Sequence, residues 1–110
     1  MTGQQVLQYV DAVMENTFKP AVKLRWLNQI EGEIQTKVLQ KQTGELIQYK
    51  QDNLGETLIA GKPYDGLYPE YLFWQICQAR QEVQLAENYK TSFKRMFYEY
   101  VRHICENRAG

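Results

Sequence analysis

The chain has 110 residues, of which 44% are hydrophobic, 13% are aromatic and 24% are charged. A chain of this length has the usual size of one domain with one core, and we expect residues 1–110 to form a single helical domain. The 13 Lys and Arg residues balance the 13 Asp and Glu residues, so no overall field attracts nucleic acid or an anionic membrane, and a dedicated nucleic-acid binder is disfavoured.

The cysteines and the first residues bear on compartment and on metal binding. Cys77 and Cys105 are isolated and the chain has one histidine, which matches neither a zinc-ligand spacing nor a disulfide framework. We expect small buried cysteines, a reducing cytoplasm, no metal and no cofactor. The start of the chain lacks the basic and apolar regions of a signal peptide, and no stretch approaches a membrane span.

Apolar residues at helical spacing predict two helices in the first forty residues. The first spans residues 3–16 behind a Thr2 cap, and the second spans residues 20–40 from Pro20. Gly32 should cost about 1 kcal/mol relative to Ala, and we expect it to mark a close helix contact. Glu31 and Glu33 point in different directions, so we interpret both as solvated. The apolar stripe of the second helix consists of Leu24, Leu27, Ile30, Ile34 and Val38, with Trp26 on its flank.

Residues 41–63 lose the helical period. Two short apolar runs that contain Tyr49 and Leu58 flank a turn-like segment at residues 52–55, and a β-hairpin is one option for them. A connection of this length is uncommon inside a compact domain and is often a binding element. We therefore expect this insertion to contribute to an assembly surface.

Two further helices are predicted at residues 66–87 and 89–107, with a turn at residues 87–88. Asp65 is a candidate cap for the third helix. Because Pro69 lacks a donor and disfavours helical backbone at Tyr68, either the first turn is irregular or the helix begins at Pro69. The short connection predicts an antiparallel pair. The predicted fold class is therefore all-α, a four-helix domain with a long, partly extended insertion.

The sequence offers little catalytic chemistry. His103 has Glu99 one turn before it, but no nucleophile stands at a recognisable partner position, so an ordinary surface histidine is the favoured interpretation. The glycines lack the spacing of a phosphate-binding loop. Basic and aromatic residues alternate between Lys90 and Arg102, which is compatible with nucleic-acid binding. The interspersed glutamates favour a solvated face instead.

The aromatic content points to contacts between molecules. With 14 Phe, Trp and Tyr residues in 110, some aromatic side chains should remain partly exposed. Tyrosine and tryptophan are enriched at protein interfaces, although a tyrosine-rich rim of the core is a comparable alternative. The candidate packing and interface residues are Trp26, Gly32, Tyr49, Leu58, Tyr64, Asp65, Tyr68, Tyr71, Trp74 and Gln75.

Three segments together resemble the small head-tail connector proteins of tailed phages and prophages of Gram-positive bacteria. They are the Trp-Leu-Asn-Gln-Ile-Glu-Gly run at residues 26–32, the Pro-Tyr-Asp run at residues 63–65 with the aromatic residues up to 76, and the aromatic helix at residues 93–100 that closes at Asn107. Pro69 departs from the pattern, because similar sequences usually continue the helix there.

The resemblance implies a non-enzymatic, all-helical adaptor that forms a homo-oligomeric ring between the portal of the filled capsid and a tail completion protein. DNA would pass through the ring without sequence recognition, and the protein would be found in the virion or in the host cytoplasm during assembly. The resemblance implies no catalytic residue. The alternative is a small helical binding module of a bacterium, either regulatory or associated with nucleic acid.

Overall fold

The computed structural model describes residues 1–40, Tyr49 and residues 53–109, and the side chains up to residue 107. Within these residues the chain forms four α-helices: α1 (Gly3–Val13), α2 (Pro20–Glu33), α3 (Leu67–Ala79) and α4 (Val83–Ala109). A π-helical segment, Ile34–Val38, continues α2. The described part of the chain contains no strand, and an isolated bridge joins Thr2 to Thr57. The all-α prediction is confirmed for these residues.

The capping prediction for α1 is confirmed, but its predicted length is not. The Thr2 hydroxyl accepts from the amide of Gln5, whose side chain accepts in return from the Thr2 amide, which completes a capping box. The helix ends at Val13, three residues early, because Met14 adopts extended backbone. The Asn16 side chain then donates to Asp11 and to the Met14 carbonyl, which stabilises the turn.

The second predicted helix exists, although its last turn is π-helical. The side chains of Gln35 and Thr36 donate to the carbonyls of Glu31 and Gly32, and such bonds compete with the regular ladder. The amide of Leu39 donates to Ile34, five residues back. The expected close contact at Gly32 is not found among the described residues, since a Cβ atom built there meets none of their atoms within 4 Å.

The described part of the insertion packs against the start of α1. Thr57 bridges Thr2, and the amide of Leu58 donates to the Met1 carbonyl. Leu58 and Tyr49 are buried within this chain, so they are packing residues. The first arm of the hairpin option lies, apart from Tyr49, outside the described residues.

The start of α3 corrects the prediction for Asp65. The N-cap position is Gly66, no side chain caps the helix, and the Asp65 carboxylate instead accepts from the Met1 amino group at 3.1 Å. Pro69 lies in the first turn, where an amide has no intrahelical acceptor, so the helix begins before it at no cost in hydrogen bonds.

The turn between α3 and α4 lies earlier than predicted. α3 ends at Ala79, and Gln81 takes a left-handed backbone conformation with φ of 62°. The amides of Gln81 and Glu82 donate to the carbonyls of Gln78 and Cys77, which is a Schellman motif with Gln in the position that Gly usually occupies. Val83 therefore begins α4, and its side chain is exposed.

Helices α3 and α4 pack along their length as the predicted antiparallel pair. Phe73 contacts Tyr89, and Tyr71 contacts Phe93, with ring centroids 5.3 and 5.1 Å apart. A later residue of α3 therefore contacts an earlier residue of α4, as two antiparallel helices require. α1 and α2 pack against α3, so α3 is the central helix of the fold.

Candidate functional site

The centre of the fold contains a fully buried carboxylate, Glu31 of α2. Its Oε1 accepts from the Tyr68 hydroxyl at 2.7 Å, and its Oε2 accepts from the Tyr49 hydroxyl and from the amide of Ile59, each at 3.0 Å. The donors come from α3 and from the insertion, so one carboxylate joins three parts of the chain. Buried polar groups of this kind are stable only when hydrogen bonds replace their lost hydration.

Three further hydrogen bonds extend this Glu31 cluster. The Tyr68 hydroxyl accepts from the amide of Ala60 at 2.8 Å. The Asn28 side chain donates to the carbonyl of Tyr49 and accepts from its amide, at 2.9 and 2.7 Å. Asn28 and Glu31 therefore hold both the backbone and the side chain of Tyr49 against α2.

The electrostatics of the cluster favour neutral tyrosines. Burial, and then the charge and hydrogen bond of Glu31, raise the pKa of Tyr49 and of Tyr68. Both hydroxyls therefore stay protonated near neutral pH and can donate to the carboxylate. Because every oxygen of Glu31 has a donor and the group is closed to solvent, the arrangement is suited to holding the fold together.

The interpretation of Glu31 as a solvated residue is wrong. Glu31 lies four residues after Leu27 and three before Ile34, and therefore within the apolar stripe of α2. That register was the one available indication of burial, but a lone glutamate in a stripe does not reveal its partners. Glu33 does face solvent, as expected, and it forms an ion pair with Lys37 at 3.8 Å.

An open groove beside Trp74 is lined by residues of α2 and its π-helical extension, of α3 and of α4. This Trp74 groove has a volume of about 410 Å³. Trp74 packs edge-on against Tyr71 and lies 5.8 Å from Phe93 between ring centroids. The groove is lined by Glu33, Lys37, Tyr71, Trp74, Phe93, Lys94, Phe97 and Tyr98.

Trp74 also borders a second, smaller cavity of about 250 Å³ toward the start of α4. The Lys90 ammonium lies 5.8 Å from the centre of the Trp74 ring, within the range of a cation–π contact. At the other end of the groove, 64% of the Tyr98 surface is exposed. Because Tyr71 and Phe93 are themselves buried, the exposed aromatic surface of the groove is mainly that of Tyr98.

The outer face of α4 carries the basic side chains that the alternative function, nucleic-acid binding, would use. Lys94, Arg95 and Arg102 are exposed around Tyr98, and none of the three forms an ion pair with another described residue. Burial raises the pKa of the nearby Glu70 carboxyl, while the Ser92 hydrogen bond and the charge of Arg95 act in the opposite direction.

The remaining predicted residues serve packing in different places. Trp26 is buried with its ring edge-on to Phe18, Tyr64 stacks on His103 at 4.9 Å, and Gln75 is half-buried on α3. His103 is half-buried and has Asn107 as its partner at 3.2 Å.

The two cysteines have different surroundings. Cys77 is buried, whereas Cys105 is exposed, so the expectation of two buried cysteines is wrong for Cys105. Burial raises the pKa of the Cys77 thiol.

Neither a metal-binding cluster nor a membrane-crossing helix is found in the part of the chain that the structure describes. No group of three His, Cys, Asp or Glu side chains there is placed to hold an ion, and no described helix has the length and apolar character needed to cross a membrane. Comparison with known protein families, curated proteins and solved structures finds no match to this chain.

Proposed function

We propose that this protein is a non-enzymatic structural adaptor of a tailed phage or prophage, a head-tail connector that assembles as a ring between portal and tail. The proposal begins from the three sequence segments that resemble such connectors. Two of these segments supply Glu31 and Tyr68, which bond to each other at the centre of the fold.

The observation that carries the proposal is that polar side chains at the centre of the fold bond within the chain, whereas several apolar side chains remain on its surface. The buried polar groups of these two segments form hydrogen bonds within the chain. Apolar side chains, by contrast, remain exposed on two separate helices: Tyr9 and Val13 on α1, and Tyr98 on α4. Exposed aromatic and aliphatic groups on a rigid scaffold are suited to protein–protein contact.

The proposal is tested with the purified chain and the portal protein encoded in the same genome. Mass measurement at rising concentration should show self-association to a closed oligomer, either alone or on the portal. A chain that stays monomeric at every concentration and does not bind the portal would refute the adaptor function. The gene should also lie between capsid and tail genes.

The alternative function, a helical module that binds nucleic acid, is favoured by Lys94, Arg95 and Arg102 on α4, which form no ion pair with another described residue. It predicts affinity for DNA that falls steeply with salt and depends on Lys94, Arg95 and Arg102. The balanced total charge and the glutamates on the same helix favour the adaptor.

A further inference from the structure

Two exposed apolar surfaces lie on different flanks of α3. The first, which we call the α1 ridge, consists of Tyr9 and Val13, which are 46% and 56% exposed. Tyr9 packs on Phe73 of α3 with ring centroids 6.3 Å apart. The second surface is the Trp74 groove. Because consecutive residues of a helix point about 100° apart, Phe73 and Trp74 direct the ridge and the groove to different sides of the molecule.

The ridge has the form of a helix that enters a groove. Tyr9 and Val13 are four residues apart, so their side chains are neighbours on one face of α1. Pairs with this spacing are typical anchors of an amphipathic helix in an apolar cleft. The Trp74 groove offers an aromatic floor and is open to solvent above it.

The charges of the two surfaces are complementary. Residues 1–18 contain two acidic side chains, Asp11 and Glu15, and no basic one. Asp11 is paired with Lys23 of the same chain at 2.6 Å, so the negative charge that the ridge offers to a partner is that of the exposed Glu15. At the groove, Lys37 is paired with Glu33 at 3.8 Å, whereas Lys94 also lines the groove and forms no ion pair with another described residue. Opposite charges at the rim favour the correct pairing and disfavour the contact of two like surfaces.

We infer that the α1 ridge of one copy docks into the Trp74 groove of the next copy. The contact joins two different surfaces, so it is heterologous, and repeating it produces a ring when the rotation between copies closes. This inference rests on the proposed function, for which it supplies the subunit interface. In the assembly, Val13 and Tyr98 become buried, and Lys94 approaches the acidic end of α1.

The inference is tested with two variants that each disable one surface. Val13→Glu places a charge on the ridge, and Tyr98→Glu places one at the groove. Both side chains are mostly exposed, so folding should be retained, which circular dichroism and thermal unfolding check. Leu85→Glu is the matched control, because Leu85 is 46% exposed on α4 and lines neither surface.

Mass measurement, with portal protein added if wild-type assembly requires it, should show each ridge or groove variant at least about tenfold weaker in self-association. The Leu85→Glu control should assemble as wild type does. The decisive result is the mixture of Val13→Glu with Tyr98→Glu. Each partner retains the surface that the other lacks, so the mixture should form a one-to-one heterodimer that does not grow further.

Disulfide trapping gives an independent readout. In a Cys105→Ser background, copies with Val13→Cys should cross-link to copies with Tyr98→Cys, and neither should cross-link to itself. If wild type forms oligomers but both glutamate variants assemble equally well, or their mixture forms no heterodimer, the interface is refuted while the adaptor function survives. If wild type forms no oligomer and does not bind the portal, both are refuted. Loss of DNA affinity in Tyr98→Glu with unchanged assembly also overturns the interface.

Discussion

Replacing Tyr68 with Phe removes one hydroxyl group from the centre of the molecule and leaves the ring in place. In the native fold this hydroxyl donates to Glu31 at 2.7 Å and accepts from the amide of Ala60 at 2.8 Å. Tyr68 is fully buried. The substitution therefore leaves a buried carboxylate oxygen and a buried amide without this partner, and water does not reach them in the intact fold.

The magnitude follows from these two losses. A hydrogen bond to a charged acceptor contributes about 1.5–3 kcal/mol, and a buried donor without an acceptor costs about 1–3 kcal/mol. We expect Tyr68→Phe to lower the free energy of unfolding by about 3–5 kcal/mol. A domain has only about 5–15 kcal/mol of stability in total, so the variant should be severely destabilised.

Urea unfolding followed by circular dichroism and tryptophan fluorescence measures this loss. Tyr98→Phe is the control, because its hydroxyl lies on an exposed side chain and its removal should change stability by less than about 0.5 kcal/mol. A loss below about 1 kcal/mol for Tyr68→Phe would refute the reasoning. The double variant with Glu31→Gln should cost less than the two single changes added together, because both remove the same bond.

Three further predictions concern other parts of the fold. Burial raises the pKa of Tyr71 to about 12 and also raises the pKa of Tyr68. The stabilisation from each neutral tyrosine is therefore complete below about pH 10, the pKa of tyrosine in the unfolded chain. Above that pH the free energy of unfolding falls by up to about 1.4 kcal/mol per pH unit for each tyrosine. Urea midpoints that stay constant across that range would contradict this. Gly32→Ala should raise the thermal midpoint by removing a helix cost of about 1 kcal/mol. Gly3→Ala should lower the thermal midpoint, because its Cβ atom would lie 3.0 Å from Leu54. A higher midpoint for Gly3→Ala than for Gly32→Ala would contradict the packing at these two sites. Asn28→Ala should lower the free energy of unfolding by about 2 kcal/mol through the loss of two hydrogen bonds to one backbone, and an unchanged urea midpoint would exclude that role.

Most of the helical content could be predicted from the sequence, because it depends on local patterns. The Thr2 cap, the Pro20 start of α2 and the apolar stripe around Ile30 are all local features, and the structure contains them. The boundary between α3 and α4 could not be predicted in this way. Gln81 follows the end of α3 in a left-handed backbone conformation. Gly or Asn usually occupies such a position, so a glutamine there does not indicate the end of a helix.

The sequence by itself determined an all-α chain with balanced charge, an aromatic pair of helices and polar residues suited to capping. Only the tertiary structure decided what Glu31 and Asp65 do, since their partners are distant in sequence: Tyr68 for the first and the Met1 amino group for the second. Local spacing carries no information about such partners. The same reason applies to the exposed ridge at Val13 and the Trp74 groove, because exposure depends on which other helices cover a face, and that is settled only when the chain folds.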